Sequence, residues 1–361
     1  MVTLYNDVMN KRVPKVSFLM LNWNGIEYTR KCLISLLATD YPNFEIIVVD
    51  NGSDADEGGM LRAAFGKKIT VIKNSKNLGY AQGMNIAYQH SSGDMVMLLN
   101  NDMEFPTRWL WSLVKILQTN LRAAGAQPKI RDILNRSEFE YASAAGGFVD
   151  VFGYPFARGR IFYDIEKDHG QYEENIRVSW AGILLLRRSV LEKIGLFDAI
   201  FFNYGEDMDL CMRIYRAGYE IINVPKSIVY HVGGGALKKN LRKKMFYHHR
   251  NNLIFIIKNW PIGLLSLVMV PRIFFDGMSA VFYLMRGFWD GCIAVIQAYI
   301  SLIGMLPSVF EHRAQVQSLK GQKNLVNMPL YKGSVVVDYF LLGKRRFSDI
   351  IKDSSFYSIE A

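Results

Sequence analysis

Short apolar runs alternate with segments of helical periodicity over the first hundred residues, and each apolar run ends in polar residues. Because parallel strands need a crossover element between them, this alternation predicts an α/β fold with a doubly wound, mostly parallel sheet. Ligands of such sheets bind beyond the carboxyl ends of the strands, where these polar residues fall. The predicted strands lie at 16–21, 45–49, 69–72 and 95–99, and the predicted helices at 28–38, 58–65 and 80–90.

The next part of the chain is less regular. Ala123 to Trp180 is rich in glycine and aromatic residues, which predicts extra strands and mobile loops over the site. Regular secondary-structure patterns resume with an apolar segment at 181–186, which we expect to be buried, and a predicted helix at 189–194. A strand then follows at 221–224, which we expect Pro225 to close.

Basic residues are concentrated in the C-terminal third. Residues 235–361 contain 17 Lys and Arg against 7 Asp and Glu, whereas the whole chain contains 43 against 33. The remaining residues are therefore electrically balanced, which argues against nucleic acid as a partner. The N-terminal residues lack the apolar segment of a secretory signal, and three unpaired cysteines fit a reducing compartment, so we expect a cytosolic catalytic part.

Apolar segments follow a basic cluster beyond Gly235, at 253–257, 262–270, 280–285 and 292–309. Charged residues such as Arg272 and Asp276 leave no uninterrupted apolar stretch of about 20 residues, which favours interfacial or re-entrant helices over simple spans. Basic residues beside apolar helices predict a surface for anionic lipids. A helical core or a homodimer interface is the alternative, and the two are compatible.

Two carboxylates follow buried strands. Asp50 comes directly after Val48-Val49 and can accept hydrogen bonds from uracil, thymine or ribose, or cap the next helix. Asp102 follows Leu98-Leu99-Asn100-Asn101 and offers a hard oxygen ligand for Mg²⁺ or Mn²⁺. Asn-Asn-Asp is also a good turn sequence, so neither carboxylate is specific alone.

Two later segments also contain residues that can act as a base or as a metal ligand. Glu206, Asp207 and Asp209 form an acidic cluster, in which one carboxylate can be held as a base near neutral pH. The alternative is a helix N-terminus, where the helix dipole favours acids. His231 precedes a run of glycines, and neutral imidazole binds divalent ions well, although a lone histidine is more often structural.

In this order and spacing, the four segments resemble the family 2 glycosyltransferases of GT-A fold, especially bacterial rhamnosyltransferase-like members. The resemblance covers Val16 to Lys258. Residues 21–25 are similar to the first nucleotide loop, residues 77–85 to the donor-contacting segment, and Trp180-Ala181-Gly182 to the segment that shapes the sugar pocket.

The resemblance implies specific roles. Asp102 and His231 would hold Mg²⁺ or Mn²⁺, Asp50 would hold the base, and Asp207 would be the catalytic base. At Asn100 many members carry aspartate, so one acidic partner is missing and a lower metal affinity is expected. The implied donor-binding residues are Asn22, Asn24, Asp50, Asn77, Gly79, Asn85, Asn101, Trp180, Gly182 and Glu206.

The expected enzyme is an inverting hexosyltransferase, because a single displacement places the base opposite the leaving group. It would move a sugar, with dTDP-rhamnose as the favoured donor, to a saccharide or polyprenyl-diphosphate-linked acceptor in cell-surface polysaccharide synthesis. We expect a catalytic domain over 1–235 and a membrane-associating helical region over 236–361, at the cytoplasmic face of the plasma membrane. A nucleotide-sugar nucleotidyltransferase is the alternative, but its first loop is Gly-rich with Lys and Arg, unlike Asn22-Trp23-Asn24-Gly25.

Overall fold

The computed structural model describes residues 13–140, 142–233, 241–319 and 328–352. Its strands are β1 (Val16–Asn22), β2 (Phe44–Asp50), β3 (Thr70–Lys73), β4 (Met95–Leu99), β5 (Met103–Glu104), β6 (Ala123–Asp132), β7 (Gly147–Asp150), β8 (Pro155–Ala157), β9 (Arg160–Ile161), β10 (Asp164–Ile165), β11 (Ile176–Arg177), β12 (Leu184–Arg187), β13 (Glu220–His231) and β14 (Leu330–Tyr331). Its α-helices are α1 (Ile26–Leu37), α2 (Glu57–Phe65), α3 (Gly79–Gln89), α4 (Leu110–Thr119), α5 (Arg188–Ile194), α6 (Glu206–Arg216), α7 (Leu241–Asn259), α8 (Ile262–Met285), α9 (Trp289–Ser318), α10 (Val335–Phe340) and α11 (Phe347–Ile350).

The larger sheet has the strand order β11-β13-β6-β12-β4-β1-β2-β3, and β5 pairs with β13. The predicted strands β1, β2, β3 and β4 form a continuous parallel half. β12 lies antiparallel between β4 and β6, so the other half is mixed. The predicted α/β fold class is confirmed.

Apolar side chains fill both faces of this sheet. In β1, Leu19 packs in one hydrophobic core, whereas Phe18 and Met20 pack in the other. Helices α3 and α6 contribute to the first core, and α1 and α4 to the second. Burial on both faces explains why these strands are continuous apolar runs in the sequence.

β13 is longer than predicted. The expected end at Pro225 is wrong, because the strand continues to His231. Its pairing with β6 shifts register between Val224 and Ile228, and this irregularity accommodates a proline, which has no N–H to donate. The extension places His231 opposite Met103 of β5, beside Asp102.

Much of the region predicted to be irregular belongs to a second sheet of order β10-β9-β8-β7-β14. Its strand β14 comes from the C-terminal part and pairs in parallel with β7. The backbone N–H of Val335 also donates to Asp150 Oδ2 over 3.0 Å. The described C-terminal residues are thus packed on the α/β part. The proposed boundary at Gly235 lies outside the described residues, as do Lys238 and Lys239 of the basic cluster.

The two long C-terminal helices expose much apolar surface. Arg272 and Asp276 interrupt the apolar sequence but not the helix, since α8 contains 24 residues and α9 contains 30. Both helices are long and apolar enough to cross a membrane, and only 22% and 28% of their most apolar windows are buried. Arg272 and Asp276 are buried and bonded to each other, with 3.1 Å between Nε and Oδ2.

Candidate active site

The polar loops after β1 and β2 are bonded to each other. Asn24 Nδ2 donates to Asp54 Oδ2 over 2.8 Å, and the Asp54 N–H donates to Asn24 Oδ1 over 2.9 Å. Asn22 is buried, donates to Glu57 Oε2 over 2.7 Å and accepts from the Thr29 hydroxyl over 2.7 Å. Asn22 therefore holds the loops together, while Asn24 lies on their exposed side.

Asp50 has the helix-capping contacts that the sequence offered as an alternative. Its carboxylate is wholly buried and accepts from the backbone N–H groups of Ser53 and Gly58 over 3.2 and 3.0 Å. A direct contact with a nucleotide base would require this loop to open. The predicted base-holding role of Asp50 stays a prediction.

Asn51 connects the second loop to the predicted donor-contacting segment. Its Nδ2 donates to the Gly79 carbonyl over 3.1 Å, and its Oδ1 accepts from the Leu78 N–H over 3.2 Å. Asn77 Oδ1 accepts from the Gly79 N–H over 2.8 Å. Gly79 has φ +81°, and a Cβ there would lie 2.4 Å from the Phe202 carbonyl oxygen, so only glycine fits. This close approach brings residues 201–204 against the start of α3.

Asn85 and Asn101 have different surroundings. Both ends of the Asn85 amide bond to the backbone of Phe197, over 2.8 and 3.0 Å. Asn85 lines a cavity of about 340 Å³ together with Asp198 and His312, and no residue of the polar loops after β1 and β2 lines it. Asn101 Nδ2 instead donates to the Thr29 hydroxyl over 2.9 Å, beside Asn22. The structure thus brings Asn101, but not Asn85, to the loops.

Asp102 and His231 are in direct contact. The Val232 N–H donates to the Asp102 carbonyl over 3.0 Å, and His231 Nε2 lies 2.9 Å from Asp102 Oδ1. Nε2 also lies 3.1 Å from Asn100 Nδ2. On the other side of the ring, Nδ1 lies 2.8 Å from Glu140 Oε2. The imidazole is therefore fixed between two carboxylates.

Glu140 is a site residue that the sequence did not reveal. It is one of two acids in an irregular stretch, Glu138 and Glu140, and only the fold places it beside His231. Burial alone would lower the pKa of His231, but hydrogen bonds and charge from Asp102 and Glu140 outweigh burial and raise that pKa to about 10. The pair of carboxylates thus favours positive charge at this position, either on the ring or on a bound cation.

The donor set fits a divalent ion. Asp102 offers a carboxylate oxygen and His231 an imidazole nitrogen, while Glu140 would orient the ring through Nδ1 in the way that outer carboxylates orient metal-binding histidines. Among the described residues, no group of three or more His, Cys, Asp and Glu side chains forms a complete metal site. Phosphate oxygens of a substrate and water would fill the remaining positions, as is usual for Mg²⁺.

The acidic cluster begins helix α6, next to the predicted sugar-pocket segment. A Cβ on Gly182 would lie 3.7 Å from Asp207 Oδ2 and 4.0 Å from the Trp180 ring. The Trp180 indole N–H donates to the Phe148 carbonyl over 3.0 Å, which fixes the ring. The structure therefore brings Trp180, Gly182 and Asp207 together, and glycine leaves space beside the carboxylate.

The two first carboxylates of α6 differ in their surroundings. Burial raises the pKa of Asp207 to about 6, and Asp207 Oδ1 accepts from the Met208 N–H over 2.8 Å. Burial and the charge of Asp207 raise the pKa of Glu206 well above its usual range, and Glu206 Oε2 is buried without a hydrogen-bond partner among the residues that the structure describes. A neutral Glu206 beside an ionised Asp207 suits Asp207 for general-base chemistry near pH 7.

The hydroxyl group of Tyr80 is influenced by both the acidic cluster of α6 and Asp102. Its pKa is raised by burial and then by the negative charges of Glu206, Asp207 and Asp102. Since one hydroxyl group is influenced by all three carboxylates, the predicted base and the predicted metal-binding Asp102 lie near the same side chain. Asp102, Asp207 and His231 are not scattered over unrelated parts of the fold.

Comparison with known proteins identifies the fold family. A model of glycosyl transferase family 2 matches residues 17–195, and a model of glycosyl transferase family group 2 matches residues 147–311. The chain belongs to glycosyltransferase family 2. The glycosyltransferase has the GT-A fold, as in the structure of GalNAc-T7 with UDP, GalNAc and Mn²⁺. The two structures align with a TM-score of 0.56 at 16% identity, and the alignment covers 70% of this chain and 49% of the GalNAc-T7 chain.

Several relatives are named as glycosyltransferases, and one is named as an O-antigen biosynthesis protein. The O-antigen biosynthesis protein RfbC of Myxococcus xanthus is 28% identical over 60% of this chain and 17% of its own length. The N-acetylglucosaminyl-diphospho-decaprenol L-rhamnosyltransferase of Mycobacterium tuberculosis is 26% identical over 54% of this chain and 68% of its own. The chain spans only 17% to 45% of the full length of three relatives, one of which is RfbC. These comparisons do not favour a nucleotidyltransferase.

Proposed function

We propose that this glycosyltransferase is an inverting, metal-dependent enzyme that transfers a hexose from a nucleotide diphosphate donor, with dTDP-rhamnose as the first candidate. The acceptor would be a saccharide or a polyprenyl-diphosphate-linked saccharide of cell-surface polysaccharide synthesis. The name of the mycobacterial relative supports rhamnose and a lipid-linked acceptor. The Mn²⁺ and UDP in the GalNAc-T7 structure support the divalent ion and the nucleotide.

The observation that carries this proposal is the shared region of Asp102, His231 and Asp207 around Tyr80. Mg²⁺ or Mn²⁺ bound by Asp102 and His231 would neutralise the departing diphosphate. Asp207 accepts the proton of the acceptor hydroxyl, whose oxygen attacks the anomeric carbon as the bond to the diphosphate breaks. Because base and leaving group stand on opposite sides of the sugar, the configuration inverts and no covalent intermediate forms.

The proposal assigns different functions to two parts of the chain. Residues 1–235 would bind donor and acceptor, and residues 236–361 would associate with anionic lipids at the cytoplasmic face of the plasma membrane. The exposed apolar faces of α8 and α9 support this association. A dimer of the helical region is compatible with it.

Asp207→Asn tests the reaction. We expect this variant to lose transfer by about two to four orders of magnitude, the usual contribution of a positioned base, while binding the donor almost as the wild type does. Transfer would be measured with a panel of nucleotide diphosphate sugars and donor binding by thermal shift, each with and without Mn²⁺. Asp40→Asn is the matched control, because Asp40 is exposed and pairs with Arg108. Normal turnover by Asp207→Asn would remove Asp207 from the mechanism.

A further inference from the structure

Aromatic and basic side chains lie between the catalytic helix α6 and the hairpin of α8 and α9. Phe202 stacks on Tyr247 with ring centroids 5.5 Å apart, and Tyr204 stacks on His248 with centroids 4.3 Å apart. We call these four rings the aromatic wall. Lys243 Nζ lies 5.9 Å from the Phe202 centroid and 6.0 Å from the Tyr247 centroid. Stacked rings of this kind suit the apolar faces of sugars, and a nearby cation suits an anionic group.

Arg250 adds a buried cation to the wall. Its guanidinium carbon lies 5.1 Å from the Phe246 centroid and 5.0 Å from the Tyr247 centroid, and the residue is 8% exposed. It donates to Asn251 Oδ1 over 2.9 Å and to the Phe201 carbonyl over 3.3 Å, both uncharged acceptors. No carboxylate in the described part of the chain forms an ion pair with Arg250. Since buried arginines are usually paired, a bound anion would complete its surroundings.

The wall adjoins the start of helix α6, which contains the proposed base Asp207. Asn251 Nδ2 donates to the carbonyl oxygens of Phe201, Asn203 and Tyr204 over 2.7, 2.8 and 2.7 Å. These residues immediately precede the helix that contains Asp207. A ligand on the wall therefore lies beside the start of the catalytic helix, held by the same helix α7 that contributes Arg250.

Helix α7, which contains the wall residues Tyr247 and His248, also contacts the apolar hairpin. The Tyr283 hydroxyl of α8 donates to Met245 Sδ over 3.6 Å, and Arg242 Nη1 lies 3.6 Å from Asp290 Oδ1 at the start of α9. The neighbouring Trp289 is 68% exposed. An amphiphilic ligand can therefore place its polar group on the wall and its hydrocarbon chain along the exposed hairpin.

We propose that Lys243 and Arg250, together with the Phe202 and Tyr247 rings, bind the diphosphate and first sugar of a lipid-linked acceptor. The inference rests on the proposed function, because it names the acceptor of that transfer. Asp102 and His231 would serve the diphosphate of the donor, so a second diphosphate requires cations of its own. A diphosphate anchored at the bilayer surface is the acceptor chemistry that these cations and the adjoining apolar hairpin fit together.

Binding measurements on the full chain in detergent test the proposal. The probes are farnesyl diphosphate, farnesol, and dTDP with Mn²⁺, each titrated by calorimetry. We expect Lys243→Ala and Arg250→Gln each to weaken farnesyl diphosphate binding about 10-fold, because each removes a charge-assisted contact, and to leave dTDP binding unchanged. Lys226→Ala is the matched control for an exposed lysine, and it should bind all probes as the wild type does.

Several outcomes would overturn the proposal. An equal loss of dTDP binding in both variants would assign the cations to the donor diphosphate. Equally tight binding of farnesol and farnesyl diphosphate to the wild type would show that the diphosphate is not recognised. If Arg250→Gln does not fold, the exposed Lys243→Ala decides alone, and unchanged farnesyl diphosphate affinity there refutes the subsite.

The proposed function can fail separately. A wild-type protein that binds no nucleotide diphosphate with Mn²⁺ would contradict the transfer reaction. Selective loss of farnesyl diphosphate binding in the two variants would still support a lipid diphosphate site on the aromatic wall.

Discussion

Lys258 of α7 lies 2.9 Å from Asp209 of helix α6, and both side chains are buried. The other Asp209 oxygen accepts from Arg213 Nε over 2.9 Å, and Asn259 Nδ2 donates to the same oxygen as Lys258 over 3.0 Å. Helix α6, which contains the proposed base Asp207, is thereby bonded to helix α7. We therefore expect the packing of α7 to contribute to the stability of the first turn of α6.

Replacing Lys258 by methionine should cost about 3 kcal/mol of unfolding free energy, because it removes a buried cation from both Asp209 and Asp198 while Arg213 still compensates Asp209. Urea unfolding of the full chain in detergent would measure the change. Lys73→Met is the matched control, since Lys73 pairs with Asp56 at an exposed site over 2.8 Å. Exposed pairs contribute little, so a loss no larger than that of the control would contradict this contribution of α7.

The transfer rate should depend on the ionisation of Asp207. Burial raises the pKa of this carboxyl group to about 6, so the protonated, inactive form dominates below that pH. We expect kcat at saturating donor to rise about tenfold per pH unit below the pKa and to level off above it, over a range from about pH 5 to about pH 8. A flat profile across this range would be incompatible with Asp207 as the base.

The variant Glu206→Gln tests which of the two neighbouring carboxyl groups, Glu206 or Asp207, acts as the base. Burial and the charge of Asp207 keep the pKa of Glu206 well above its usual range, so glutamine imitates the neutral form already present. The pH at which kcat reaches half of its plateau value should therefore stay near that of the wild type. A profile that disappears in Glu206→Gln would instead transfer the role of base to Glu206.

Local sequence patterns predicted the parallel half of the sheet and the loops at its edge. Strands β1 to β4 are buried on both faces, and this burial leaves a continuous apolar run followed by polar residues. The contact between Asp102 and His231 was implied only by family resemblance, since 128 residues lie between them in the chain. The sequence pattern alone had no means to bring them together.

Other features depended on tertiary contacts that leave no local signal. Glu140 is an ordinary acid in an irregular segment until the fold places it 2.8 Å from His231. Pro225 is a normal strand terminator, yet the register shift in β13 absorbs it. The Asn85 amide bonds to the backbone of Phe197, 112 residues away, and its predicted donor contact stays a prediction. In each case a distant partner determines what the residue contacts in the fold.

Activity should require a divalent ion, and Glu140 should tune its affinity. Chelation by EDTA is expected to suppress transfer, and Mn²⁺ or Mg²⁺ to restore it. Glu140→Gln, which weakens the orientation of the His231 ring, should raise the Mn²⁺ concentration for half-maximal rate by about 10–100-fold. Glu138→Gln, two residues away, is the control and should keep the wild-type Mn²⁺ dependence. Full activity in EDTA would refute the metal role of Asp102 and His231.

Helix α8 has one face on the protein and one apolar face exposed. The Tyr154 hydroxyl donates to Asp276 Oδ1 over 3.3 Å, and Arg272 Nη1 donates to the Phe152 carbonyl over 2.7 Å, both in the middle of the helix. These contacts hold α8 along the surface of the catalytic part. We therefore expect the helix to lie in one leaflet, as an interfacial helix does.

Glutamates on the exposed faces should release the protein from membranes. Leu267 of α8 is 74% exposed and Ile300 of α9 is 65% exposed, so Leu267→Glu with Ile300→Glu adds two charges where lipid would contact the helices. Vesicle flotation should show a shift to the soluble fraction, and anionic vesicles should retain the wild type better than neutral ones. Leu121→Glu is the matched control, because Leu121 is 80% exposed and follows α4 on the α/β part of the chain. An unaltered partition of the double variant would show that these faces do not contact lipid.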